Sequence, residues 1–125
     1  MIEDKELRDL FKVEAGEHLQ RLNDGLLRLE KNPKESATLE EVFREAHSLK
    51  GAARVVGVVD VENISHKLED MLGVIKKGEM ALTPEIFDSI FKSLDTMRKL
   101  VREAVTGEAT GILDFGLPIL ETPSP

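Results

Sequence analysis

Apolar residues recur at intervals of three and four along residues 7–105, the spacing that gathers them on one face of an α-helix. In the first segment Leu7, Phe11, Ala15, Leu19, Leu22, Leu26 and Leu29 make a stripe about seven turns long. Asn32-Pro33 ends it, because the residue before a proline is disfavoured in helical geometry. The second segment runs from Ser36 to Val56, with Leu39, Phe43, Ala46, Leu49, Ala53 and Val56 on one face. Thr38 and Glu41 have capping-box spacing near its start, Ser36 is an equal candidate for the cap, and Gly57 suits a left-handed close.

The third segment reads as starting at Asp60, a good N-cap. It shows Val61, Ile64, Leu68, Met71 or Leu72, and Ile75, and stops at Lys76-Lys77-Gly78. Thr83-Pro84-Glu85 opens the fourth with a cap, a first-turn proline and an early acid. Phe87, Ile90, Leu94, Met97, Val101 and Ala104 or Val105 follow at helical spacing. Four helices with short connections predict an all-α, up-down antiparallel four-helix bundle over residues 1–106.

Residues 107–125 differ, being rich in glycine and proline without a sustained helical period. They read as a linker toward further domains. Yet Ile112, Leu113, Phe115, Leu117, Ile119 and Leu120 are too apolar for an ideal solvated linker, so a docking tail with a short fifth helical element is the other reading. Such a tail also suggests a fragment of a longer chain.

Composition narrows the function. The 125 residues suffice for one domain with a real core, and with five Phe and no Trp or Tyr that core must be mostly aliphatic. A net charge of -7 with no basic stripe argues against nucleic-acid binding. The absence of cysteine removes disulfides, thiol catalysis and cysteine metal sites, and fits a reducing compartment. No apolar run approaches the roughly 20 residues of a membrane span, and the acidic amino terminus is unlike a signal peptide. Together these predict a cytoplasmic domain with no membrane insertion.

Candidate chemistry lies on the second and third helices. His47, Lys50, Gly51 and Arg54 stand at i, i+3, i+4 and i+7 beside the apolar stripe, and Glu62, His66, Glu69 and Gly73 share a face of the third helix. A glycine inside a helix costs about 1 kcal/mol relative to alanine, which is easiest to explain where something large must approach. If the turn is centred on Val58, Glu69 lies as far after it as His47 lies before, and His66 likewise matches Lys50. Glu69 would then stand level with His47. A carboxylate accepting from one ring N–H fixes the imidazole tautomer, leaves the other nitrogen's lone pair free, and stabilises positive charge on the ring. That predicts Nδ1–H toward Glu69 and Nε2 toward an electrophilic phosphorus, with Lys50 neutralising charge on the phosphoryl group.

The run from Phe43 to Ala53, with His47-Ser48-Leu49-Lys50-Gly51 at its centre, resembles the phosphorylation motif of histidine phosphotransfer domains. It is closest to the amino-terminal domain of CheA-type chemotaxis kinases. His66-Lys67-Leu68-Glu69, Met71-Leu72 and Lys77-Gly78-Glu79 resemble that family's third helix and exit, and the likeness extends over roughly residues 1–105. A start at Met1 also fits the CheA-type order. The resemblance implies that His47 is the phosphoacceptor, that Glu69 binds its second nitrogen, and that Lys50 and His66 flank it. It implies a phosphoryl carrier without autonomous catalysis. Its partners are the ATP-binding domain of a histidine kinase, which holds the ATP and Mg2+, and a response-regulator receiver. No cofactor or metal is expected on this domain. Gly51 and Arg54 are candidates for partner docking, and Arg54 departs from the small residue that such kinases often carry there.

Three other readings compete. A carboxylate-bridged metal bundle would show Glu-x-x-His, which this chain lacks. A relay intermediate outside chemotaxis would share the same motif. A non-catalytic helical interaction module would leave the histidines incidental, His18 among them, which reads as structural or solvated.

Overall fold

Each of the four amphipathic segments forms one helix in the computed structural model, which describes residues 1–108. They are α1 (Lys5–Lys31), α2 (Ser36–Val56), α3 (Val59–Lys76) and α4 (Pro84–Thr106). Among the described residues there is no strand, and no helix is long and apolar enough to cross a membrane. The expected fifth element in residues 107–125 falls almost wholly outside the described residues.

Local chemistry sets most of the helix ends. Asp4 caps α1 by accepting from the Leu7 N–H at 3.0 Å, and Thr83 caps α4 by accepting from the Ile86 N–H at 3.2 Å with Pro84 in the first turn. Gly57, Gly78 and Gly107 take positive φ where α2, α3 and α4 end. Two expected caps are corrected. Glu35 occupies the N-cap position of α2, and Thr38 donates back to its carboxylate, so neither Ser36 nor Thr38 is the N-cap. The α3 helix begins at Val59 with Val58 at the cap position, which puts Asp60 inside the first turn, where its charge still favours the helix dipole.

The stripes meet in one aliphatic core. Leu22, Leu26, Leu29, Leu49, Leu68, Met71, Leu72, Ile90, Leu94 and Met97 are all less than 2% exposed. Each such side chain contributes about 1.5–3 kcal/mol by leaving water. Two stripe assignments are corrected: Leu7 is 39% exposed and lies outside the core, and Val42 rather than Phe43 fills the α2 core position. Phe43 lies at the rim, where the Lys76 ammonium sits 4.2 Å above its ring. Gly25 explains how α1 and α2 approach, since a Cβ there would collide with Cγ1 of Val42.

Contacts link α1 with α2, α2 with α3, α3 with α4 and α4 with α1, but join neither diagonal pair. The bundle is therefore a closed square of up-down helices, with the α1–α4 edge opposite the α2–α3 edge.

Candidate functional site

The α2–α3 hairpin builds the site. Gly57 closes α2 with its N–H on the Arg54 carbonyl, the Val58 N–H reaches the Ala53 carbonyl, and α3 starts at the next residue. So tight a reversal holds the two helices in the register expected from symmetry about Val58. Nδ1 of His47 hydrogen-bonds with Oε2 of Glu69, and Lys50 donates to Oε1 of the same carboxylate at 2.5 Å. One acid thus serves two residues a single turn apart on α2.

Burial divides the roles. The His47 side chain is 66% exposed, whereas those of Lys50 and Glu69 are 15% and 11% exposed. Burial alone works to raise the pKa of Glu69. The hydrogen bonds from Lys50 and His47, together with their charges, outweigh it and hold the carboxyl below its ordinary range. The group is therefore an anion at neutral pH and accepts from Nδ1–H. Nε2, on the far side of an exposed ring, keeps its lone pair toward solvent. An anchored, oriented and open imidazole is suited to nucleophilic attack, and the Lys50 ammonium sits beside it.

The remaining expected residues are placed as follows. His66 is exposed, and its Nε2 lies 3.6 Å from Oδ2 of Asp70 on its own helix. Lys50 bonds to the buried Glu69. Arg54 extends along the same face of α2 and donates to Oε2 of Glu62 at 2.6 Å, forming a second rung between α2 and α3. Gly51 has open space where a Cβ would be. It lines a groove of about 430 Å3 between α1 and α2 together with Leu7, Leu10, Ala52 and Val55. Leu10 and Val55 are 53% and 75% exposed, which leaves an apolar surface next to the histidine.

His66, Glu69 and Asp70 each bring a potential ligand atom within 4.8 Å of one another. Both oxygens of Glu69 already accept one hydrogen bond each, from His47 and Lys50. The sequence reading missed one pairing. Nδ1 of His18 on α1 lies 2.6 Å from Oε2 of Glu45 on α2, with Arg21 3.9 Å from the other oxygen. The partners are 27 residues apart in the chain, so no local spacing announces them; only the α1–α2 packing does.

The sequence model of the Hpt domain family matches residues 6–106. Chemotaxis protein CheA of Bacillus subtilis (strain 168) is 37% identical over 99 residues, which are 79% of this chain and 15% of that protein. CheA of Listeria monocytogenes is also 37% identical, over 79% of this chain and 16% of its own length. The chain therefore spans only a small part of the relatives it matches. Among solved structures, the CheA phosphotransferase domain from Thermotoga maritima is similar with a TM-score of 0.77 at 37% identity, over 81% of this chain and 96% of that one. The phosphorylated P1 domain of CheA3 in complex with CheY6 from R. sphaeroides is similar with a TM-score of 0.76 at 26% identity, over 83% and 81%. With the bundle, the His47–Glu69–Lys50 arrangement and the match over residues 6–106 in agreement, this chain belongs to the Hpt domain family.

Proposed function

We propose that this domain is a phosphoryl carrier of a chemotaxis-type two-component system. A histidine kinase domain, which holds the ATP and Mg2+, delivers the γ-phosphoryl group to Nε2 of His47. The new N–P bond forms as the bond to the ADP oxygen breaks, and the positive charge left on the ring is shared with Glu69 through Nδ1–H. Lys50 offsets charge on the arriving group. An aspartate of a response-regulator receiver then takes the phosphoryl group, which restores neutral His47. All of this belongs in the cytoplasm, where ATP is supplied.

The observation that carries this reading is the exposed His47 ring held at Nδ1 by a buried carboxylate. The likeness to a phosphorylated domain in complex with CheY6 supports a receiver as the second partner. The apolar groove beside Gly51 gives that receiver a surface to rest on.

The test is labelling with radioactive ATP and the kinase core of a related CheA. An acid-labile, alkali-stable label that passes to a receiver is expected, and His47→Gln should remove it with the helical spectrum unchanged. A label that persists in His47→Gln refutes the assignment, and no label on the unmodified chain favours a non-catalytic interaction module.

A further inference from the structure

The α1–α4 edge carries a feature that phosphoryl transfer leaves unused. Between these helices runs a groove of about 320 Å3, with Leu19, Val101 and Val105 on its floor and Lys12, Arg98 and Arg102 along its walls. No carboxylate lines it, in a chain whose net charge is -7. Lys12 and Arg102 are exposed and make no salt bridge among the described residues, and Arg98 pairs only with Asp95 on its own helix, at 3.1 Å. The cations stand on both walls, one from α1 and two from α4.

Gly16 is a second, independent observation. It lies inside α1, midway between Lys12 and Gln20 in that helix's lining, with nothing within 4 Å of where its Cβ would be. A helical glycine costs about 1 kcal/mol relative to alanine. Packing accounts for Gly25, whose Cβ would strike Val42, but no neighbour inside the bundle accounts for Gly16. It leaves bare backbone in an open groove, where the backbone of another element can come close. The dimensions suit a helix. The linings from Lys12 to Gln20 and from Arg98 to Thr106 each rise about 12 Å, and apolar anchors at i, i+3 or i+4, and i+7 of a docked helix span about 10.5 Å at the same rise per residue.

We propose that the α1–α4 groove receives an amphipathic helix of a partner protein, apolar where it meets Leu19, Val101 and Val105, acidic along both flanks, and closest in backbone at Gly16. Burying the anchors supplies the attraction, and the three cations set the sign of the partner's charge. The seat is opposite the α2–α3 edge, so a docked helix leaves His47 uncovered. The inference does not depend on the phosphoryl-carrier reading, because the groove lies away from that site.

The probe is a synthetic helical peptide with leucine at i, i+3 and i+7 and glutamate at the flanking positions, titrated into the isotopically labelled chain. The expected result is saturable amide shifts confined to residues 12–20 and 98–106, and none from a peptide with lysine in place of each glutamate. Lys12→Glu/Arg102→Glu, at exposed positions, should weaken binding at least about tenfold. Gly16→Gln adds bulk without charge and favours the helix, so it should weaken binding while the thermal midpoint holds or rises. The proposal is overturned by the absence of saturable shifts, by shifts on another edge or in the groove beside Gly51, by equal binding of the lysine peptide, or by parental affinity in either variant. Shifts at the same residues on concentrating the chain without peptide would make a second copy the occupant, and also overturn it. His47 labelling should be equal in all of these proteins, so failure here and failure of the carrier reading are told apart.

Discussion

His47 and Glu69 meet across the α2–α3 interface with opposite exposures, the imidazole two-thirds open to solvent and the carboxylate about nine-tenths covered. The pairing anchors the reactive ring to a rigid base rather than to another mobile surface group. Removing the carboxylate should therefore act on rate. Glu69→Ala frees the ring to rotate and removes the charge that stabilises the imidazolium, and labelling by the kinase should slow about a hundredfold, at the lower end for a positioned proton partner. Glu69→Gln keeps an acceptor for Nδ1–H but not the charge, so its rate should fall between. Initial rates of labelling measure both, and a Glu69→Ala rate equal to that of the parent would remove Glu69 from the mechanism.

The same carboxylate makes the domain's stability depend on pH. Burial opposes its ionisation, but the hydrogen bonds and charges of Lys50 and His47 prevail, so its folded pKa lies below the ordinary 4.5. A group depressed in this way stabilises the fold above its unfolded pKa, and that contribution is lost as the pH falls through the folded value. Urea midpoints measured from pH 6 down to pH 3 should decline more steeply for the parent than for Glu69→Gln, which has no proton to bind there. Glu69→Ala should also cost about 1–3 kcal/mol at neutral pH, because it strands the mostly buried Lys50 ammonium. Parallel pH curves for parent and Glu69→Gln would mean the pairing is no stronger in the folded chain than in water.

Much of this site was legible in the sequence because a short αα-hairpin is close to a symmetric object. Counting outward from Val58 brought Glu69 level with His47, and the tight turn at Gly57 preserves that register. The same count set Lys50 level with His66, yet Lys50 bonds to Glu69. Height along a helix is visible in spacing, but depth is not, and the ammonium follows the more buried acid. Val42 replaced Phe43 in the core for a related reason: the two positions flank the stripe, and only the close approach of α1 decides which one turns inward. His18–Glu45 needed two helices packed before it existed at all. The N-cap positions at Glu35 and Val58 were missed because neither residue supplies a side-chain cap.

Two helical glycines separate a packing role from an access role. At Gly25 a Cβ would strike Val42, so Gly25→Ala should force α1 and α2 apart and cost about 1–3 kcal/mol, as overpacking does. At Gly51 the space is open, and Gly51→Ala should raise stability by up to about 1 kcal/mol through helix propensity alone. Thermal midpoints should thus move in opposite directions for the same chemical change. Gly51→Leu extends the argument to docking: its side chain projects beside the groove that includes Leu10 and Val55, and it should slow transfer to a receiver while leaving kinase labelling nearly intact. A receiver that discharges Gly51→Leu as fast as the parent would show that nothing approaches α2 at that position, and the helix would then carry its glycine without a reason in partner access.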